Sequence, residues 1–335
     1  MHTMLDLRGR SLLTLNDFSA EELTGLLDLA AELKAAKREG REARRLEGKT
    51  IAVISDRDPT RTRPAFEIAA YDQGAHVTFI GPLDSDIGHR ETIKDTARVL
   101  GRMFDAIEYR GLAESAADEF AAWSGVPVYN GLTDESHPTQ ILADLLTIRE
   151  HVDKPLSEVA FCHLGDARRN MADTYLVGGA KLGMDVRLAA PRELWPAGAV
   201  VDAARGFAGH SGSRLTVTDD IDLAVRGCDV LITGAWLSAR MPDDLCRERI
   251  EALRPYQVNA EMMRRSGNPD VKFMHRLPAF HNPDTELGRE FQLKYGMNAL
   301  EVTEEVFESE ASIVFDEAEN RLHTIKATIV ATLGA

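Results

Sequence analysis

The chain has 335 residues, 44% of them apolar and 28% charged, which suits two α/β domains better than one. Its net charge of −15 excludes a general attraction for nucleic acid or an anionic membrane, so an anionic ligand needs a locally basic pocket. Cys162, Cys228 and Cys246 lack metal-like spacing, no apolar run approaches the roughly 20 residues of a membrane span, and the start MHTMLDLRGRSLL lacks a signal peptide's apolar segment; the expectation is a soluble cytoplasmic protein.

Ser19 and Glu22 form a capping-box pattern, and Leu23, Leu26, Leu27, Ala30 and Leu33 continue it as one apolar helical face. A basic stretch, KAAKREGREARR, leads to a first strand, TIAVIS. Strands and helices then alternate: HVTFIG, a helix through Thr92 to Met103, DAIEYRG, a helix near residues 113 to 123, VPVYNG, and a helix from Thr139 to about Glu150. HVDKPLSE reads as a linker. The alternation restarts with EVAFCHLG, DVRLAAP, RLTVTDD, DVLITGA and VKFMHRLPA, and a helical run at 321 to 333 closes the chain. Short apolar strands alternating with helices predict two doubly wound parallel-sheet domains, with ligand loops at the carboxyl ends of the strands. The domains are expected at residues 1–150, with a helix at 321–335 packing back on them, and at 151–320.

Several of those strand ends carry polar motifs. Thr60-Arg61-Thr62-Arg63 precedes the helix that carries Phe66, Ile68, Ala69 and Ala70. A helix start offers unpaired N–H groups, and hydroxyls and guanidinium forks complete a phosphate site; a solvated charged loop is the alternative. His137-Pro138-Thr139-Gln140 follows VPVYNG, where a histidine can polarise a carbonyl oxygen and Gln140 can accept from an amide, although a packed loop histidine has the same appearance. Arg110 ends AIEY on the same predicted edge. Gly165-Asp166-Ala167-Arg168-Arg169-Asn170-Met171 opens a helix after FCHL without the spacing of a dinucleotide-binding turn, and His275-Arg276-Leu277-Pro278 ends VKFM.

Together these stretches resemble the ornithine carbamoyltransferase family over nearly the whole chain. TRTR is similar to the family's S-T-R-T-R, HPTQ matches fully, GDARRNM resembles G-D-A-R-N-N-M, and MHRLPAFHN resembles the H-C-L-P segment; IKDTARVLGRMFDAIEYRG and ENRLHTIKATIVATLG also read as family sequence. The resemblance implies a carbamoyl phosphate domain followed by an amino-acid domain, homotrimers with active sites near subunit interfaces, and a reaction without metal or organic cofactor. An uncharged amine attacks the carbonyl carbon of carbamoyl phosphate, and phosphate leaves from a tetrahedral intermediate. Carried over, Thr60, Arg61 and Thr62 hold phosphate; Arg110, His137 and Thr62 stabilise the oxyanion; Gln140 holds the carbamoyl NH₂; Arg276, Leu277 and Arg321 complete the carbamoyl phosphate site. The implied amine site comprises Arg169, Asn170, Gly234, Ser238, Ala239 and Arg240.

The pattern also breaks. Pro59 replaces a phosphate-motif serine, removing a hydroxyl and an N–H, and Asp86 replaces a glutamine, with Arg90 as a compensating cation. The family's D-V-W-x-S-M-G reads Gly234-Ala235-Trp236-Leu237-Ser238-Ala239-Arg240, so the aspartate that meets the substrate's α-ammonium is missing; Arg276 replaces a cysteine and Arg169 an asparagine. These changes argue for a carbamoyltransferase with an acceptor other than ornithine, one without a free α-ammonium or with an extra anionic group. The alternatives are a true ornithine carbamoyltransferase that makes citrulline and a non-catalytic homologue that binds an anionic ligand.

Overall fold

The computed structural model describes residues 6–56, 60–81, 87, 90–111, 113–237 and 241–334. The chain forms two compact units, Met1–Leu146 with Glu319–Ala335, and Thr147–Ala318.

The first unit begins with α1 (Ala20–Arg38), capped by Ser19 and Glu22 in the reciprocal box its sequence predicts. There follow β1 (Thr50–Ser55), α2 (Thr62–Asp72), β2 (His76–Ile80), α3 (Ile93–Leu100, capped by Thr92), β3 (Ala106–Arg110), α4 (Glu114–Ser124), β4 (Val128–Leu132) and α5 (Pro138–His151). The strands form one parallel sheet in the order β2-β1-β3-β4. Period-two alternation sends Ala52, Ile54, Ile107 and Tyr109 to one face, where they pack with Leu100 of α3 and Phe120 of α4. The opposite face carries Val53, Glu108 and Tyr129, aligned across the sheet.

The second unit holds β5 (Ala160–Leu164), α6 (Asn170–Lys181), β6 (Asp185–Ala189), α7 (Gly198–Ser211), β7 (Arg214–Thr218), α8 (Ile221–Val225), β8 (Val230–Thr233), α9 (Asp243–Leu253), α10 (Ala260–Arg265), β9 (Lys272–His275), α11 (Glu286–Tyr295) and α12 (Glu304–Phe307). Its five strands are parallel, in the order β7-β6-β5-β8-β9. Both sheets are therefore doubly wound. In the first the strand order reverses at β1 and β3, in the second at β5 and β8, and such switch points open crevices at the carboxyl ends of the strands.

The last helix, α13, spans Val314–Leu333, starting seven residues before the run read from sequence. Its residues from Glu319 onward belong to the first unit, where Lys326, fully buried, lies 2.7 Å from both Glu42 and Asp72. Tyr129 Oη meets Thr332 Oγ1 at 2.6 Å, and the Gly9 amide donates to the Thr332 carbonyl at 3.0 Å. No helix among the described residues is long and apolar enough to cross a membrane.

Candidate active site

In the first unit the switch point sets Ser55, at the end of β1, beside Arg110, at the end of β3. The β3–β4 register shifts between Tyr109 and Arg110, so Arg110 pairs with Leu132; such an irregularity re-aims a side chain at a strand end. Arg110 Nη1 donates to Thr62 Oγ1 at 2.9 Å, and Arg321 Nη2, from α13, donates to the same oxygen at 2.9 Å. Thr62 and Arg321 are buried, although a guanidinium is among the least buried of groups. Thr62 opens α2, with Arg61 at its N-cap making no side-chain cap bond, so the N–H groups of the first turn lack that partner. Burial pulls the Arg61 pKa down, as expected of a cation held partly out of water. Thr60 is exposed beside it. Arg63, the last member of the motif, turns elsewhere: it pairs with Glu67 at 2.8 Å and stacks over Phe79.

His137 and Gln140, both 1% exposed, stand at the start of α5. Gln140 Nε2 donates to Asp144 Oδ1 at 2.8 Å, which leaves acceptance to Oε1, the polarity needed to hold an NH₂ group. The His137 carbonyl accepts the Gln140 amide at 3.1 Å and so fixes the turn. Thus Thr62, Arg110 and Arg321 converge in one hydrogen-bonded cluster of the first unit. Pro59 and Asp86 lie outside the described residues, and Arg90 is exposed.

In the second unit, Leu164 of β5 and Thr233 of β8 pair at the switch point, and Thr233 Oγ1 donates to the Leu164 carbonyl at 2.8 Å. Gly165 follows at φ 119°, a conformation that favours glycine. One pocket is lined by His163, Asp166, Arg169, Asn170, Thr233, Gly234 and Arg276, among others. Three of the residues read as amine-binding therefore share it with Arg276, read with the carbamoyl phosphate; Ser238, Ala239 and Arg240 lie outside the described residues. Leu277 follows Arg276 with φ 53°, its amide donating to His275 Nδ1 at 2.9 Å. Glu301 and Glu317, both buried, hold this loop by accepting the Phe280 and His275 amides.

The charge balance of this pocket departs from the sequence reading. Read singly, Arg169 in place of an asparagine adds a positive charge. It instead donates to Asp166 at 2.7 Å, and Asp166 also pairs with Arg249 of α9. Asp243 is engaged by Lys294 at 2.5 Å. Arg276, on the pocket lining, is a cation whose charge acts on His163. Burial, rather than that charge, is the larger cause holding the His163 pKa down at about 4, so its ring is neutral at physiological pH.

Sequence reasoning missed His163, Arg249 and Glu108, whose buried carboxyl group lies two residues before Arg110 on β3. The i,i+3 spacing of Asp166 and Arg169 was a usable signal, whereas Arg249 lies 83 positions from its partner. Among the described residues, His281, Glu304 and Glu308 bring metal-type ligand atoms within 4.8 Å, but His281 already bonds Glu304 and stacks on Phe307.

Comparison with known proteins agrees with this architecture. Residues 10–150 match the model of the aspartate/ornithine carbamoyltransferase carbamoyl-P binding domain, and residues 157–332 that of the Asp/Orn binding domain. The chain is 56% identical over 330 residues to an ornithine carbamoyltransferase of Actinobacillus pleuropneumoniae, covering 98% of this chain and 99% of the relative. The structure of ornithine carbamoyltransferase from Pyrococcus furiosus superposes with a TM-score of 0.89 at 37% identity, covering 98% of each chain. An anabolic ornithine carbamoyltransferase from Campylobacter jejuni gives 0.84 at 32% identity, covering 96% of this chain and 97% of that one. The chain is a carbamoyltransferase and belongs to the aspartate/ornithine carbamoyltransferase family.

Proposed function

We propose that the chain transfers the carbamoyl group of carbamoyl phosphate to the side-chain amine of ornithine, giving citrulline and phosphate. The observation that carries this acceptor is the 56% identity, across almost the whole of both chains, to an ornithine carbamoyltransferase. The sequence alone argued for a different acceptor; likeness of this extent supports the alternative more strongly.

In this reading the start of α2, with Thr60, Arg61 and Thr62, receives the phosphate. Arg110 and Arg321, both committed to Thr62, add fixed positive charge. His137, Arg110 and Thr62 stabilise the oxyanion that forms as the uncharged amine attacks the carbonyl carbon, and Gln140 holds the carbamoyl nitrogen through its oxygen. Preorganised charge at the developing oxyanion and leaving phosphate supplies the catalysis, together with the alignment of two bound reactants. We further propose a homotrimer in the cytoplasm. Its support within the first unit is exposed apolar surface on two helices and their flanks, including Tyr71 at 72% and Met103 at 64%.

A second reading is favoured by one specific observation. The amine-side pocket has Gly234 where an α-ammonium would meet a carboxylate, and Arg276 on its lining. That combination suits an acceptor lacking a free α-ammonium or carrying another anionic group. Initial rates with ornithine, N-acylated diamino acids and acidic amines, all at saturating carbamoyl phosphate, separate the two. Ornithine with the highest kcat/KM supports the first reading. An acidic or acylated amine exceeding it by tenfold or more overturns that reading in favour of the second.

A further inference from the structure

Glu108 lies in the middle of β3, on the face that also carries Arg110, and exposes none of its surface. On that face it is flanked by Val53 of β1 and Tyr129 of β4, both buried. Tyr129 stacks on Phe66 of α2 and bonds to Thr332 of α13. Packing from both helices thus keeps water from this side of the sheet. Among the described residues, neither carboxyl oxygen of Glu108 has a hydrogen-bond partner. Gly131 makes the space: a Cβ there would collide with Glu108 Oε1 and lie 3.4 Å from Arg110 Cβ. A fully buried carboxylate without donors is costly to ionise. The charged groups that act on it are Arg110, from its own strand, and Arg321, from α13; Tyr129, from β4, keeps its phenol protonated because burial raises its pKa. Burial outweighs the two guanidiniums and holds the Glu108 carboxyl up at about 8.

We propose that Glu108 is a positioning residue for the anion site, uncharged when a phosphate group occupies the Thr62–Arg110–Arg321 cluster and, when ionised, withdrawing one unit of positive charge from it. The inference rests on the assignment of that cluster to carbamoyl phosphate. A phosphate dianion among the two guanidiniums cancels the influences that favour the ionised form, so ligand binding and protonation of Glu108 reinforce each other. The proton comes from solvent and returns to it when phosphate departs. Linkage gives the sign. Below pH 8 Glu108 is already protonated and binding takes up little at this site; above pH 8 each binding event draws in up to one proton and affinity falls. Exclusive binding to the protonated form weakens affinity about tenfold from pH 7 to pH 9.

The test is calorimetric titration of the full chain with phosphonoacetamide, the methylene analogue of carbamoyl phosphate, at pH 7, 8 and 9. Two buffers of different ionisation heat give the number of protons taken up. The expected result for the native chain is proton uptake rising towards one at pH 9, with Kd weakening about tenfold. Glu108→Gln is expected to lose both the uptake and the slope, and Glu108→Met serves as a second neutral variant of different hydrogen-bonding character. Uptake retained in both variants, or a native Kd that does not change between pH 7 and 9, overturns the inference. If the native chain fails to bind the analogue at every pH, the phosphate assignment falls and takes the inference with it. Binding without linked protons overturns the inference alone.

Discussion

Thr62 offers one oxygen to two guanidiniums. A hydroxyl has two lone pairs and one proton, so with Arg110 and Arg321 on the lone pairs the proton remains to be donated. The residue is thereby prepared as a donor to an anion. Thr62→Val, nearly isosteric, removes that donor and the oxygen that the two guanidiniums share. The expected loss is about 1.5–3 kcal/mol in binding phosphonoacetamide, or roughly 10- to 150-fold in Kd by calorimetry, with Thr62→Ser close to native. In the other unit, a Cβ at Gly234 meets nothing within 4 Å among the described residues. Gly234→Asp therefore meets no clash at its Cβ and restores the carboxylate whose absence the sequence exposed. It is expected to lower the KM for ornithine about tenfold or more in steady-state rates, whichever acceptor the native chain prefers. Thr62, Arg110, His137, Gln140 and Arg321 stand out in the sequence because each lies in a motif at a strand end or in the closing helix, and the structure joins three of them, Thr62, Arg110 and Arg321, by hydrogen bonds. Glu108 was not: a single acid inside an apolar strand reads as an outward-facing residue, and only the sheet's two-sided covering turns it inward. The overstated charge at Arg169 has a different origin, since pairing with Asp166 cancels what a residue-by-residue count adds.

At the scale of the element, most strands were readable to within a residue or two, because short β-rich apolar runs between glycine- and aspartate-containing turns leave little freedom. Helix α1 was readable from its cap. Helix α13 was placed too late, because Val314 to Asn320 mixes exposed Phe315 with four polar residues and shows no clean apolar face. Its anchoring was also hidden. Lys326, 0% exposed, holds Glu42, from the stretch read simply as basic, and Asp72, at the end of α2. Burial opposes ionisation of Asp72, but the bonds from Lys326 and Lys37 outweigh it and lower its pKa. Lys326→Met leaves these carboxylates without their shared cation and is expected to cost about 3–5 kcal/mol, the usual effect of breaking a buried pair from one side. Hydrogen exchange checks this: amide protection across residues 319–333 should fall by several hundredfold or more. The sign with pH follows from the lowered pKa. The Asp72 contribution is present above its ordinary value of 3.8 and is lost as pH falls through its lower folded value.

For the whole molecule, three chains of 36.9 kDa predict an assembly of about 110 kDa, which light scattering at micromolar concentration checks; a single 37 kDa species would count against a trimer. The net charge of −15 belongs to the surface at large, while the Thr62–Arg110–Arg321 cluster is built from buried or half-buried groups that the total does not reveal. The pairing of Gly9 with Thr332 and the seating of α13 on the first unit carry a further consequence. Topologically, residues 147–318 are an insertion into the unit that surrounds them in sequence. During synthesis the ribosome makes the carbamoyl phosphate half first, yet that half stays unfinished until residues 319–333 emerge. The inserted half has all its strands before then. The nascent chain is thus expected to mature in the reverse of its order of translation, and the Thr62–Arg110–Arg321 cluster is complete only once α13 has left the exit tunnel.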